Sequence, residues 1–155
     1  MPAITLHRPA LDELAFRREL LADPETMAYN HAYGGAIDFP QERWADWYAR
    51  WVDCGTGERF YRYLQAGEQF VGEAAYHFDS ELAVYLCDVI VMAKFRGQGF
   101  GAQGLALLCE AAERNGVRRI CDHIALDNPS AALFYKAGFR EVSRDAEGVL
   151  VAKDL

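Results

Sequence analysis

The run from Val89 to Gly101, VIVMAKFRGQGFG, sets an apolar segment directly ahead of a loop with glycines at 97, 99 and 101. Glycine accepts positive φ and lets a ligand come close to the backbone. If a helix starts where that loop ends, its first amides lack intrahelical acceptors and its dipole adds partial positive charge. Together these features make a phosphate site. Arg96 and Lys94 add full positive charge beside it. Two phosphate-binding patterns overlap here. Gly99-Phe-Gly101-Ala-Gln-Gly104 has the GxGxxG spacing of dinucleotide folds, and Asp122 follows at roughly the 20 residues such folds use to hold a ribose. There, however, the fingerprint follows the first strand, whereas most of this chain precedes Gly99. The other pattern is Arg96-x-x-Gly99-x-Gly101, and it has a downstream companion in the stretch from Asn128 to Phe139, NPSAALFYKAGF.

Together the two motifs resemble the GNAT family, which moves an acetyl group from acetyl-CoA to an amine. The family's pyrophosphate loop is [RQ]-x-x-G-x-[GA], led here by Val91-Met-Ala93-Lys-Phe95, and its second motif is matched at Asn128, Ala131, Tyr135, Gly138 and Phe139. The resemblance is specific over residues 83–140 and architectural before them. It implies the acyl-CoA N-acyltransferase fold: a single α/β domain over residues 1–155, with a mixed, mostly antiparallel sheet of six to seven strands flanked by helices. It also implies that the backbone at Ile90 and Val91 pairs with the pantetheine arm like an added strand. The amides of Gly97, Gln98, Gly99, Phe100, Gly101 and Ala102 would then cradle the pyrophosphate, with Arg96 beside them. Asn128 would touch the cofactor arm and Tyr135 the acetyl sulfur. Two positions depart from the pattern: Ala93 replaces a common proline, and Gly104 stands where a large apolar residue is usual.

A lysine-like amine has a pKa of ~10 and attacks a thioester only when unprotonated. Such a site must take a proton from the nucleophile, give one to the departing thiolate and stabilise the oxyanion between. Tyr135 is the expected acid and an amide near Val91 the oxyanion donor. His123, on a strand position five residues before Asn128 where the family often carries Glu or His, is the expected base, since imidazole titrates near ~6.5. Glu73, His77, Tyr85 and Asp88, on neighbouring strands, are the other candidates. His31, with Tyr29, Asn30 and Tyr33, falls where the family usually builds its acceptor pocket. The expected partner is an amine-bearing small molecule or peptide, with acetyl-CoA consumed and coenzyme A released. A non-catalytic acyl-CoA-binding regulatory module would need the loop but neither Tyr135 nor His123.

The elements that must position these groups are legible in outline. Ile4 to His7 reads as a strand, and Pro9 and Asp12 open a helix through Leu14, Leu20 and Leu21. Asp23-Pro-Glu25 caps a short helix that stops at Gly34-Gly35, and Asp38 to Pro40 opens another in the same way. The latter carries Trp44, Trp47, Tyr48 and Trp51 as one aromatic stripe, suited to core packing or to a substrate box. Phe60 to Leu64 and Phe70 to Phe78 read as strands joined at Gly67. The nearly unbroken apolar run Ala83 to Met92 predicts a strand buried on both faces. A helix from Phe100 to Asn115, a strand from Val117 to Leu126, a helix from Pro129 to Lys136 and two closing strands follow. The strand-helix-strand unit requires one parallel pair.

The 155 residues suit one domain, 52% are hydrophobic, and the net charge is −7. So acidic a chain offers little basic surface for nucleic acid, whereas a cationic amine suits it. The four cysteines have no metal-like spacing and read as free thiols, with no metal expected. No leader is visible at Met1-Pro-Ala-Ile4 and no apolar run reaches ~18 residues, so no membrane partner and a cytoplasmic setting are expected. The aromatic face, if left uncovered, offers a homodimer contact.

Overall fold

In the computed structural model, which describes residues 3–155 apart from the side chains of residues 32 and 33, two parallel strands meet and then part. They are β4 (Val84–Val91) and β5 (Arg119–Ala125). Among the described residues they pair only at Tyr85↔Ile120 and Leu86↔Cys121. Met1 and Pro2, part of the segment read for a leader, lie outside the described residues.

The sheet has seven strands. With β1 (Ile4–His7), β2 (Arg59–Ala66), β3 (Gln69–Asp79), β6 (Arg140–Arg144) and β7 (Gly148–Asp154), its order is β1-β2-β3-β4-β5-β7-β6. Every neighbouring pair but β4–β5 is antiparallel. β2 and β3 need only a tight turn, which Gly67 closes at φ +60°. The parallel pair needs a crossover, and α3 (Phe100–Arg114) provides it.

One sheet face carries α3, whose Phe100, Gly104, Leu105, Leu108, Cys109, Ala111 and Ala112 are buried at helical spacing. The other carries α1 (Leu14–Ala22), α2 (Trp44–Trp51) and a 3-10 segment, Thr26–Tyr33. Gly104 now has a reason: a Cβ there would stand 2.8 Å from Leu64 Cδ1, so α3 lies against β2 too closely for a larger residue. Cys87, Cys109 and Cys121 are buried, Cys54 is exposed, and all four are free thiols. No helix among the described residues is long and apolar enough to cross a membrane.

Three expectations need correction. β4 is not buried on both faces: of its residues only Cys87 and Ile90 are buried, and Asp88 is exposed. The reason is the departure of β5, which leaves the second half of β4 bordering a cleft. Asp38 does not cap a helix; Pro40 does so by its backbone, and a 3-10 turn, Gln41–Arg43, precedes α2. The segment begun at Asp23 is 3-10 rather than α and starts at Thr26 after Glu25, not at Pro24 behind an Asp23 cap; the Asp23 carboxylate accepts from the Thr26 hydroxyl, and the stop at Gly34 (φ +100°) is as expected.

Gly72 holds β3 against the end of β4. A Cβ on it would meet the Ile90 carbonyl oxygen at 2.2 Å, a backbone atom that cannot swing aside. Gly72→Ala should destabilise the fold by about 1–3 kcal/mol or more, as overpacking does. A lowered urea midpoint would show it, and an unchanged midpoint would contradict this account of the β3–β4 contact.

Candidate active site

The segment after β4 folds as the glycines require. A short 3-10 turn, Ala93–Phe95, leads into Gly97 and Gly99, both at φ +83°, and Gly99 is the residue from which α3 starts. Phe100 is buried and anchors the first turn of the helix. Among the described residues nothing accepts a hydrogen bond from the amides of Gly97 through Ala102. A Cβ on Gly97 would meet nothing within 4 Å, so the loop is open on its outer side. Unsatisfied amides at a helix start in an open loop fit a pyrophosphate.

Arg96 does more here than lend charge. Its Nε donates to the Val91 carbonyl at 3.2 Å and its Nη2 to the Thr26 carbonyl at 2.9 Å. The guanidinium thus ties the end of β4 to the 3-10 segment. Thr26 completes the tie: fully buried, its hydroxyl accepts from the Ala93 amide at 2.8 Å and donates to Asp23. Ile90 and Val91 lie on the stretch of β4 beyond its last pairing with β5, so a strand-like ligand can lie against their backbone.

α4 (Ala131–Lys136) packs beside the start of α3, with Leu133 Cδ2 3.4 Å from where a Gly101 side chain would begin. Asn128 Oδ1 accepts from the Ser130 amide at 3.0 Å, fixing the turn into the helix, and the Lys153 ammonium donates to the Ala137 carbonyl at 2.7 Å at its other end. Phe134 fills the core position and packs edge-on against Phe139 at 5.0 Å. Tyr135 is 42% exposed, and among the described residues its hydroxyl has no partner. It is therefore not a core tyrosine.

Across the cleft stands a group of carboxylates. Asp88 is reached by solvent from the cleft but enclosed by protein elsewhere. Burial, and then the charge of Glu73, push its carboxyl up to about 7, against the pull of Arg17. Burial, and then the charge of Asp88, raise Asp122 well above its ordinary value. Tyr29, from the 3-10 segment, has its phenol raised first by burial and then by Asp88, Glu73 and Asp122. His31 Nε2 meets Asp127 Oδ2 at 3.0 Å and so joins that segment to the loop after β5. Tyr33's side chain lies outside the described residues.

The base candidates separate accordingly. Glu73 is 4% exposed and held by Arg17 and Tyr61. His77 lies against Trp51 near the far end of β3, and Tyr85 donates to the Gly57 carbonyl. His123 is exposed, but its Cε1 stands 2.9 Å from where a Gly148 side chain would begin, so the ring leans toward β7. Asp88 stands on the cleft with no hydrogen-bond partner among the described residues. Sequence reading sets Asp88 behind His123 because His123 holds the strand position where the family often carries Glu or His; a lone acid at the centre of the apolar run 83–92 is the signal that could have raised Asp88. Asp122, which fits the ribose position of the dinucleotide pattern, lies on β5 within electrostatic reach of Asp88 instead. The Trp44, Trp47 and Trp51 stripe is largely a packing layer: Trp44 is buried, and Trp47 packs edge-on against Tyr61 at 4.8 Å.

The model of the acetyltransferase (GNAT) family matches residues 16–139. Among solved structures, the GNAT domain of PAT from S. lividans superposes with a TM-score of 0.78 at 15% identity, covering 98% of this chain and 89% of that one. A putative acetyltransferase from Salmonella typhimurium, solved with its cofactor acetyl-CoA, gives 0.77 at 17% identity and coverages of 98% and 94%. An acetyltransferase from Thermus thermophilus gives 0.72 at 21% identity and covers both chains fully. No curated protein matches the chain.

Thr26 tests how this side of the cleft is held. Thr26→Val keeps the volume but leaves the Ala93 amide without its acceptor, at a cost of about 1–3 kcal/mol. Thermal unfolding should show a lower Tm; an unchanged Tm would mean that the tie does not bear on the fold.

Proposed function

This chain belongs to the acetyltransferase (GNAT) family, and on that footing we propose that it moves an acetyl group from acetyl-CoA directly to a primary amine of a small molecule or peptide. The observation that carries the reading is the meeting, at one parting of strands, of an open amide cradle with a cleft carboxyl that titrates near neutrality. Bound acetyl-CoA supplies an activated thioester. The amides of Gly97 through Ala102 would hold its pyrophosphate, the backbone at Ile90 and Val91 its arm, and the free Nδ2 of Asn128 the same arm near α4.

The chain's own residues then divide the proton work. An amine reaches the cleft as a cation, drawn by Asp88 and its neighbours. The Asp88 carboxylate accepts its proton, which a group titrating near the working pH does efficiently. The Tyr135 hydroxyl, which has no partner among the described residues, donates to the departing sulfur. A backbone amide near Val91 stabilises the oxyanion. His123 leans toward β7, and its part is secondary to that of Asp88. A purely regulatory acyl-CoA module would use neither a free phenol nor an unpartnered cleft carboxyl.

Acetyl-CoA should bind by calorimetry, and Gly101→Glu, which sets a negative charge against the phosphates, should abolish binding without unfolding the chain. Binding that survives would move the cofactor elsewhere. Because Asp88 works only after losing its proton, kcat/KM should rise with pH through about 7. Asp88→Asn should remove that limb and lower kcat by about 10²–10⁴-fold. Tyr135→Phe should lower kcat with acetyl-CoA affinity unchanged. Full turnover in either variant would refute the role given to that residue.

A further inference from the structure

Glu73 is a buried carboxylate at the middle of the sheet, and its partner comes from another layer. Arg17 Nη1, from α1, meets Glu73 Oε1 at 2.7 Å, and the Tyr61 hydroxyl donates to the same oxygen at 2.9 Å. Aromatic rings surround the guanidinium: its centre lies 4.3 Å from the Trp47 ring, 5.1 Å from Phe39 and 5.4 Å from Tyr61. The arrangement is expensive. Both charges are largely withdrawn from water, and Arg17 Nε is buried with no acceptor among the described residues. Apolar residues of similar volume often replace such pairs with no loss of stability. The reason for keeping this one lies in what it faces.

The antiparallel register of β3 and β4 sets Glu73 opposite Ile90 and Ala75 opposite Asp88. Glu73 and Asp88 therefore emerge on the same sheet face, one diagonal apart, within electrostatic reach. The charged and titratable groups around Asp88 are Glu73 from β3, Arg17 from α1, Asp122 from β5 and Tyr29 from the 3-10 segment. Of these, Arg17 is the cation.

We propose that Arg17 and Glu73 are positioning residues for the deprotonation of the acceptor amine: the aromatic panel holds the guanidinium, the guanidinium holds Glu73, and the two opposed charges stand at fixed places beside the Asp88 carboxyl and govern its proton. Neither touches a reacting atom. The proposal rests on the reading of Asp88 as proton acceptor.

The pH profile of kcat/KM separates this role from a merely structural one. Glu73→Gln removes the negative neighbour and leaves the guanidinium, so the acid limb should move to lower pH. Arg17→Met removes the positive neighbour, so the limb should move to higher pH, each by about one pH unit or more. Arg17→Lys keeps the charge and should leave the limb in place. Either neutralised single variant strands a buried charge and is prone to unfold, so the double variant Arg17→Met with Glu73→Gln, which strands none, is made beside them. Its limb should lie below that of the native chain, because Glu73 acts on Asp88 more strongly than Arg17 does. Titration of ¹³C-labelled aspartate carboxyls, with Asp88 assigned by its loss in Asp88→Asn, reads the same shifts without turnover. Opposite shifts in the single variants, or a lowered midpoint in the double, support the proposal. Shifts of one sign in both single variants, or an Asp88 midpoint that none of the variants moves, overturn it. If the limb survives in Asp88→Asn, the base assignment fails, while the carboxyl titration still decides whether the pair governs Asp88.

Discussion

Two parallel strands that pair for only two residues leave backbone groups with no neighbour, and a folded chain must cover such groups, expose them to water or use them. β4 and β5 separate after Leu86 and Cys121, while β3 and β7 go on pairing to their outer sides. The cleft is thus framed by continuous sheet on both flanks and opens only at its centre. The glycine loop begins where β4 ends, α4 follows where β5 ends, and the 3-10 segment reaches over from the opposite face. Each of these elements is placed by the separation of one strand pair.

That geometry sorts the charges. A helix start with exposed amides supplies local positive potential without altering the net charge of −7. The acidity that matters lies farther back along β4, where burial and the Glu73 charge raise the proton affinity of Asp88, and burial and Asp88 raise that of Asp122. Arg96, the residue that looks most like a phosphate ligand in the sequence, spends its hydrogen bonds on the carbonyls of Val91 and Thr26. It makes the cradle rigid as much as it makes it positive.

Much of this was legible one residue at a time. The glycines at 97, 99, 116 and 138 all adopt the positive φ that their places at loop and helix ends imply. Phe134 and Tyr135 are neighbours on one short helix, and only packing shows that the first is buried and the second exposed. The apolar run Ala83 to Met92 was misleading, because apolarity reports what a strand touches on average and not where a neighbour departs. His123 illustrates the same limit from the other side: its strand position was readable, but the lean of its ring depends on the space that Gly148 leaves on β7.

What the amino-acid sequence determined by itself was local: the glycine loop between strand and helix, the helices and most strands, their order, and the family whose motifs the loop carries. These follow from backbone conformations and side-chain periodicities that act over a few residues. What only the tertiary structure decided was which carboxylate stands on the cleft and what surrounds it. Arg17, Tyr29, Glu73, Asp88 and Asp122 come from five different elements, and nothing in their spacing relates them. Their protonation depends on desolvation and on charges a few ångströms away, which are properties of the packed chain and not of any segment of it.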